Sequence, residues 1–239
     1  MEATQHLEWF EDNIAFFETI VERQLSMSVP ACPGWTLADL MNHLSFGLGA
    51  CYRVAAVAPT DSKPETLFAD VDRSSQSAVG PKAISSFSLE MRSCLATFMQ
   101  IDSEAECWTY AGPGVAGFWF RRAAVESTIH RFDAEEALGY QHTNSSERLD
   151  DVIAETLDFA LPFAANLVGE PDEGLRLFTW DQQLLGHIGN TDRFVMFTGE
   201  RLDILKALWG RATSVQQGES NAALANDWFS LLGRAFSGR

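Results

Sequence analysis

Three side chains in this sequence have the types and spacing of a metal site. Glu126 and His130 are four residues apart, so on a helix they lie one turn apart on the same face. Neighbouring turns supply two such ligands without straining the backbone. His43, far upstream in a second helical segment, offers another imidazole. Two imidazoles and a carboxylate are donors that zinc takes at about 2.0–2.2 Å. Three protein ligands leave one coordination position open, as in catalytic zinc, whereas structural zinc is usually closed by four. The same donor set also accepts nickel, manganese or iron.

Each residue has a plainer alternative. Glu-x-x-x-His pairs are common as i,i+4 contacts on exposed helix faces. Position favours the metal here, because Ala123, Glu126, His130 and Ala134 trace a stripe of mostly small residues. Such a stripe faces other helices, and ionisable groups buried there need partners. His43 lies beside Leu40 and Leu44, toward its helix's apolar face, where a satisfied core histidine is the alternative. Asp133, three residues after His130, either orients an imidazole or pairs with an arginine as a surface acid. Cys32, in the turn before the His43 helix, is either a small residue packed near Trp35 or a redox or ligand group.

Helices must position these groups. Trp9, Phe10, Ile14, Phe17, Ile20 and Val21 recur at helical spacing and predict a first helix over 7–24. Thr36 and Asp39 have the spacing of a capping box, so a second helix starts there and runs into the 52–58 region. Residues 59–80 are polar and are expected to form an excursion bordering the site mouth. A third helix spans 81–99, with Pro81 in its first turn. A fourth spans 117–138 and carries Glu126, His130 and Asp133, with Gly139 closing it. Gly112-Pro113-Gly114-Val115-Ala116-Gly117 fits a dinucleotide fingerprint, but no buried parallel strand is expected before it, so it reads as a turn.

Gln141 to Arg148 reads as a linker, giving domains 1–144 and 145–239. Beyond it, helix is expected over 150–167 with Pro162 as a kink, strands over 175–180 and 193–198, and helices over 202–209 and 222–236. The expected fold class is mainly α, with a four-helix N-terminal bundle and a smaller α+β C-terminal domain.

Composition narrows the partners. With 33 acids against 17 bases the net charge is −16, and both halves are acidic. Nucleic acid and anionic membrane are therefore unexpected partners. The N-terminus lacks the basic and apolar regions of a signal peptide, and no apolar run spans a bilayer. Four cysteines without a Cys-x-x-Cys pair read as reduced cytoplasmic thiols.

The motifs together resemble the mycothiol-dependent maleylpyruvate isomerase family, within the DinB-like metal-binding four-helix bundles. The resemblance rests on Cys32-Pro33-Gly34-Trp35 followed by His43, and on Glu126, His130 and Asp133 in a Glu-x-x-x-His-x-x-Asp pattern. It implies a zinc held by His43, Glu126 and His130, a sterol-carrier-like C-terminal domain, and mycothiol as thiol cosubstrate, hence an actinobacterial origin. Leu208-Trp209-Gly210-Arg211 resembles the ending of the family's second domain. Arg211 would bind a substrate or thiol carboxylate there, or serve as a helix C-terminal cation. Asp133 and Arg211 are thus the candidate catalytic residues. The implied activity is a thiol-using transferase or isomerase acting on a small electrophile. A non-catalytic metal- or small-ligand-binding module and a zinc hydrolase are the alternatives.

Overall fold

Helix α1 (Ala3–Glu18) forms where the aromatic stripe predicts it and buries Trp9, Phe10, Ile14 and Phe17 completely. It stops earlier than expected. Thr19, Ile20 and Val21 are three β-branched residues in a row, and Thr19 Oγ1 donates to the Phe16 carbonyl at 2.7 Å. Only a short 3₁₀ turn, Glu22–Gln24, follows. The computed structural model describes residues 1–211 and 227–236.

Helix α2 (Leu37–Leu44) starts at a reciprocal capping box. Thr36 accepts from the Asp39 amide, and Asp39 accepts from the Thr36 amide. The expected uninterrupted helix does not continue. Ser45–Tyr52 is a π-helical stretch, and regular helix returns only for Arg53–Ala55. Ser45 Oγ donates to the Met41 carbonyl at 2.6 Å. Gly49 presses on the next helix, where an added Cβ would lie 2.7 Å from Glu90 Cβ. Residues 59–80 contain only the short turns Pro64–Leu67 and Ser74–Ser77. They end against α2, where Asn42 donates to the Ala78 carbonyl at 2.9 Å.

Helix α3 (Pro81–Phe98) opens on its proline and buries Phe87, Met91, Cys94 and Phe98. A hairpin follows, β1 (Glu106–Thr109) paired antiparallel with β2 (Gly112–Val115). The glycine run is therefore a strand and not the expected turn. Gly114 lies against Thr109, so an added Cβ would meet the Thr109 methyl at 2.8 Å. An antiparallel hairpin is not the βαβ unit of a dinucleotide fold. Helix α4 (Gly117–Leu138) packs on α1 and ends at Gly139, whose φ of +71° suits glycine.

The chain forms two compact units, Met1–His142 and Thr143–Arg239. In the second, α5 (Ser146–Glu155) begins at Ser145, which caps the Arg148 amide, so helix enters the expected linker. A π-helical turn at Thr156–Ala160 joins it to α6 (Leu161–Val168). Strand β3 (Gly174–Thr179) pairs antiparallel with β4 (Leu184–Ile188) and parallel with β5 (Phe194–Gly199). Leu175, Leu177, Val195 and Phe197 form the buried face. Strand β4 escapes a sequence reading because Gly186 breaks its alternation. Gly186 is needed for fit, since an added Cβ would meet Leu157 at 2.5 Å. Helix α7 (Arg201–Leu208) follows; of the helix expected over 222–236, residues 227–229 and α8 (Leu231–Phe236) are helical with a turn at Ser230 between them, and residues 222–226 lie outside the described residues. The fold is thus a helical N-terminal bundle with a smaller α+β unit. Among the described residues no helix is long and apolar enough to cross a membrane.

Candidate metal centre

The capping box at Thr36 sets the phase of α2 so that Leu37, Leu40, Met41 and Leu44 are buried, and this leaves His43 at the margin of the apolar face. The long uninterrupted α4 carries Glu126 and His130 on consecutive turns facing it. The ligand atoms of His43, Glu126 and His130 all lie within 4.8 Å of one another, and His43 Nε2 is 3.5 Å from Glu126 Oε1. A tetrahedral ion with bonds near 2.1 Å needs ligand atoms roughly 3.4 Å apart. The side chain of His43 is 37% exposed and that of Glu126 14%, so the cluster is reached from the His43 side.

Two of the three candidate ligands, His130 and Glu126, are held from behind. Asp133 is 2% exposed, and its Oδ2 lies 3.0 Å from His130 Nδ1. An ionised carboxylate only accepts, so this contact places the proton on Nδ1 and makes Nε2 the nitrogen that would bind a metal. Glu126 Oε2 accepts from Arg122 at 2.9 Å and from the Tyr52 hydroxyl. That leaves Oε1 toward His43, the disposition of a ligand bound through one oxygen. Burial alone would raise the Glu126 carboxyl. Arg122, His43 and His130 outweigh it and hold the group well below the ordinary carboxylate range. Burial, and then the neighbouring Glu126 charge, push the Tyr52 hydroxyl well above its usual value, so it stays a donor. These donors fit a hard-to-borderline divalent cation.

Arg122 and Tyr52 were not among the sequence candidates. Arg122 was legible, as it lies four residues before Glu126 on one helix. Tyr52 was not. Nine residues along a regular α-helix would put it about half a turn from His43. The wider π turn, at about 4.4 residues, brings it back to within roughly a quarter-turn.

The turn before α2 also reaches the cluster. Trp35 stacks near His130, with centroids 6.5 Å apart and planes at 24°, and its ring is 5.2 Å from that of His43. Cys32 Sγ is 3.6 Å from Asp133 Oδ2. The other cysteines are buried, and burial pushes the Cys51 thiol up to about 11.

The comparisons bear on the fold that carries this cluster. The model of the mycothiol maleylpyruvate isomerase N-terminal domain matches residues 8–135, more than half of the chain. The chain belongs to this family. No curated protein matches the sequence. Two solved structures share its fold. One is a mycothiol-dependent maleylpyruvate isomerase, 16% identical, with a TM-score of 0.65 over 90% of this chain and 91% of the other. The second is a histidine-to-alanine mutant of a protein with that name, 15% identical, with a TM-score of 0.62 over 89% and 90%.

For this member of the isomerase family, His43, Glu126, His130 and Asp133 all lie inside the matched region. Arg211 lies outside it, in the second unit. It follows Gly210 (φ +67°) at the end of α7, and its guanidinium donates to the Trp209 carbonyl at 2.6 Å.

Proposed function

We propose that the protein is a zinc-dependent, mycothiol-using isomerase or transferase acting on a small electrophile, in the cytoplasm where thiols stay reduced. The observation that carries this reading is the convergence of His43, Glu126 and His130 in a chain of this family. Zinc held by these residues would supply an open position at which a thiol is deprotonated at neutral pH. The chain's own groups prepare that position. Asp133 fixes the proton on His130 Nδ1, and Arg122 and Tyr52 hold the far oxygen of Glu126. Trp35 covers both imidazoles from one side.

A thiolate is the nucleophilic form of a thiol. Added to an activated carbon–carbon double bond, it leaves a single bond that rotates. If the thiolate then departs, the double bond re-forms as the other isomer; if a proton is taken up instead, the conjugate remains. Maleylpyruvate, named for the solved relatives, is the first substrate to test. Arg211 is proposed to pair with a substrate carboxylate through its planar fork.

The test is to follow maleylpyruvate and a panel of other α,β-unsaturated acids with zinc-loaded protein, with and without mycothiol. Loss of the electrophile is expected only with thiol, and not with His43→Ala. Zinc uptake without any turnover would leave a metal-binding module. Turnover independent of thiol would point to a hydrolase. A wild-type protein that takes up no divalent metal would overturn the reading altogether.

A further inference from the structure

Asp133 does not act on His130 alone. Its Oδ2, which takes the Nδ1 proton of His130 at 3.0 Å, is the same oxygen that lies 3.6 Å from Cys32 Sγ. One buried oxygen therefore faces a helix neighbour and a residue from a distant turn. The backbone of that turn is pinned. Cys32 N donates to Val29 O at 3.0 Å, Trp35 N to Cys32 O at 3.0 Å, and Val29 N to Trp35 O at 2.9 Å. Gly34 supplies the φ of +86° that the turn requires. The same turn lays Trp35 along the His130 ring. His130 thus has Trp35 near one face, Asp133 at its Nδ1 edge, and the Cys32 thiol against that same carboxylate oxygen.

We propose that Cys32 is a positioning residue of the metal centre, its thiol donating to the Asp133 oxygen that orients His130. This inference rests on the metal-centre reading above. A thiol is a weak donor. Loss of its contact is expected to lower metal affinity about three- to tenfold, less than the 10- to 100-fold typical of a direct partner of a ligand histidine.

Cobalt(II) binding to the full-length protein tests it, with affinity and the visible spectrum as readouts and apo-protein melting as the folding control. Cys32→Ala should bind cobalt three- to tenfold more weakly and shift the d–d bands. Cys32→Ser, whose hydroxyl also donates, should restore both. Neither wild type nor variants should show a thiolate-to-cobalt charge-transfer band. Unchanged affinity and spectrum in Cys32→Ala would overturn the proposal. So would equal losses in Ala and Ser variants that melt like wild type, since packing would then be the cause. A charge-transfer band lost on substitution would make Cys32 a ligand and overturn it differently. Wild type that binds no cobalt would sink the metal centre itself, an outcome distinct from the other three.

Discussion

In the first unit one helix, α4, buries Arg122, Ser127, Thr128, His130, Asp133 and Glu135, whereas among the described residues of the second unit the buried polar side chains are Glu155, Thr156 and Thr179. The second unit is built on the usual plan. Its sheet buries Leu175, Leu177, Val195 and Phe197, and its ion pair Arg201–Asp150 stays partly exposed. Polar groups on α4 are satisfied in two different ways. Toward α1, Asn13 donates to Ser127 and Thr128 at 2.9 and 2.8 Å, and such a contact is purely structural. Toward α2, His43, Glu126 and His130 turn ligand atoms on one another. Burying charge is costly unless partners are close. The difference teaches that, among the described residues, the α2–α4 side of this helix gathers two imidazoles and a carboxylate close enough to share a cation.

The comparison breaks first at Glu126. Glu126→Gln should abolish stoichiometric zinc, read by metal analysis. It should also cost the apo-protein about 3 kcal/mol at neutral pH, because the Arg122–Glu126 ion pair is lost in a largely buried setting. The sign with pH is fixed. The folded-state value of Glu126 is depressed, so its stabilisation is complete above the unfolded carboxylate value near 4.3 and is lost as pH falls toward the folded one. Apo wild type and Glu126→Gln should therefore still differ at pH 5, with the gap closing only below about pH 4 in thermal melts. A gap that closes already at pH 6 would contradict the assignment.

Asp133→Asn comes next. It replaces the carboxylate that fixes the His130 tautomer and should weaken zinc by about 10- to 100-fold in a competition titration. Tyr52→Phe removes one donor from Glu126 Oε2 and should cost about 1 kcal/mol of stability and a few-fold in metal affinity. The smallest effect belongs to the second unit. Arg201→Ala breaks a partly exposed ion pair and should cost under about 1 kcal/mol while leaving zinc affinity unchanged. A metal effect from Arg201→Ala equal to that of Tyr52→Phe would erase the distinction between the units.

The positions of Glu126, His130 and Asp133 were legible because all three sit on one regular helix, where spacing alone fixes the face. Arg122 is legible by the same rule, four residues before Glu126. Helix α4 and the start of α2 followed from Gly139 and from Thr36 with Asp39, since caps are local chemistry. Strand β4 and the β1–β2 hairpin were not legible. Gly186, Gly112 and Gly114 read as breakers, and only a neighbour such as Leu157 or Thr109 shows that they are there for fit.

By itself, then, the sequence determined what local periodicity and capping can determine: the bundle helices, the donor set, and the acidic character of both halves. Tertiary structure alone decided which oxygen of Glu126 faces His43, that Tyr52 holds the other, and that Cys32 reaches Asp133. Those outcomes depend on a π-helical turn and on a pinned turn docking against a distant helix. Neither is encoded by the spacing of residues along a single element, because each arises only when separate elements compete for the same buried space.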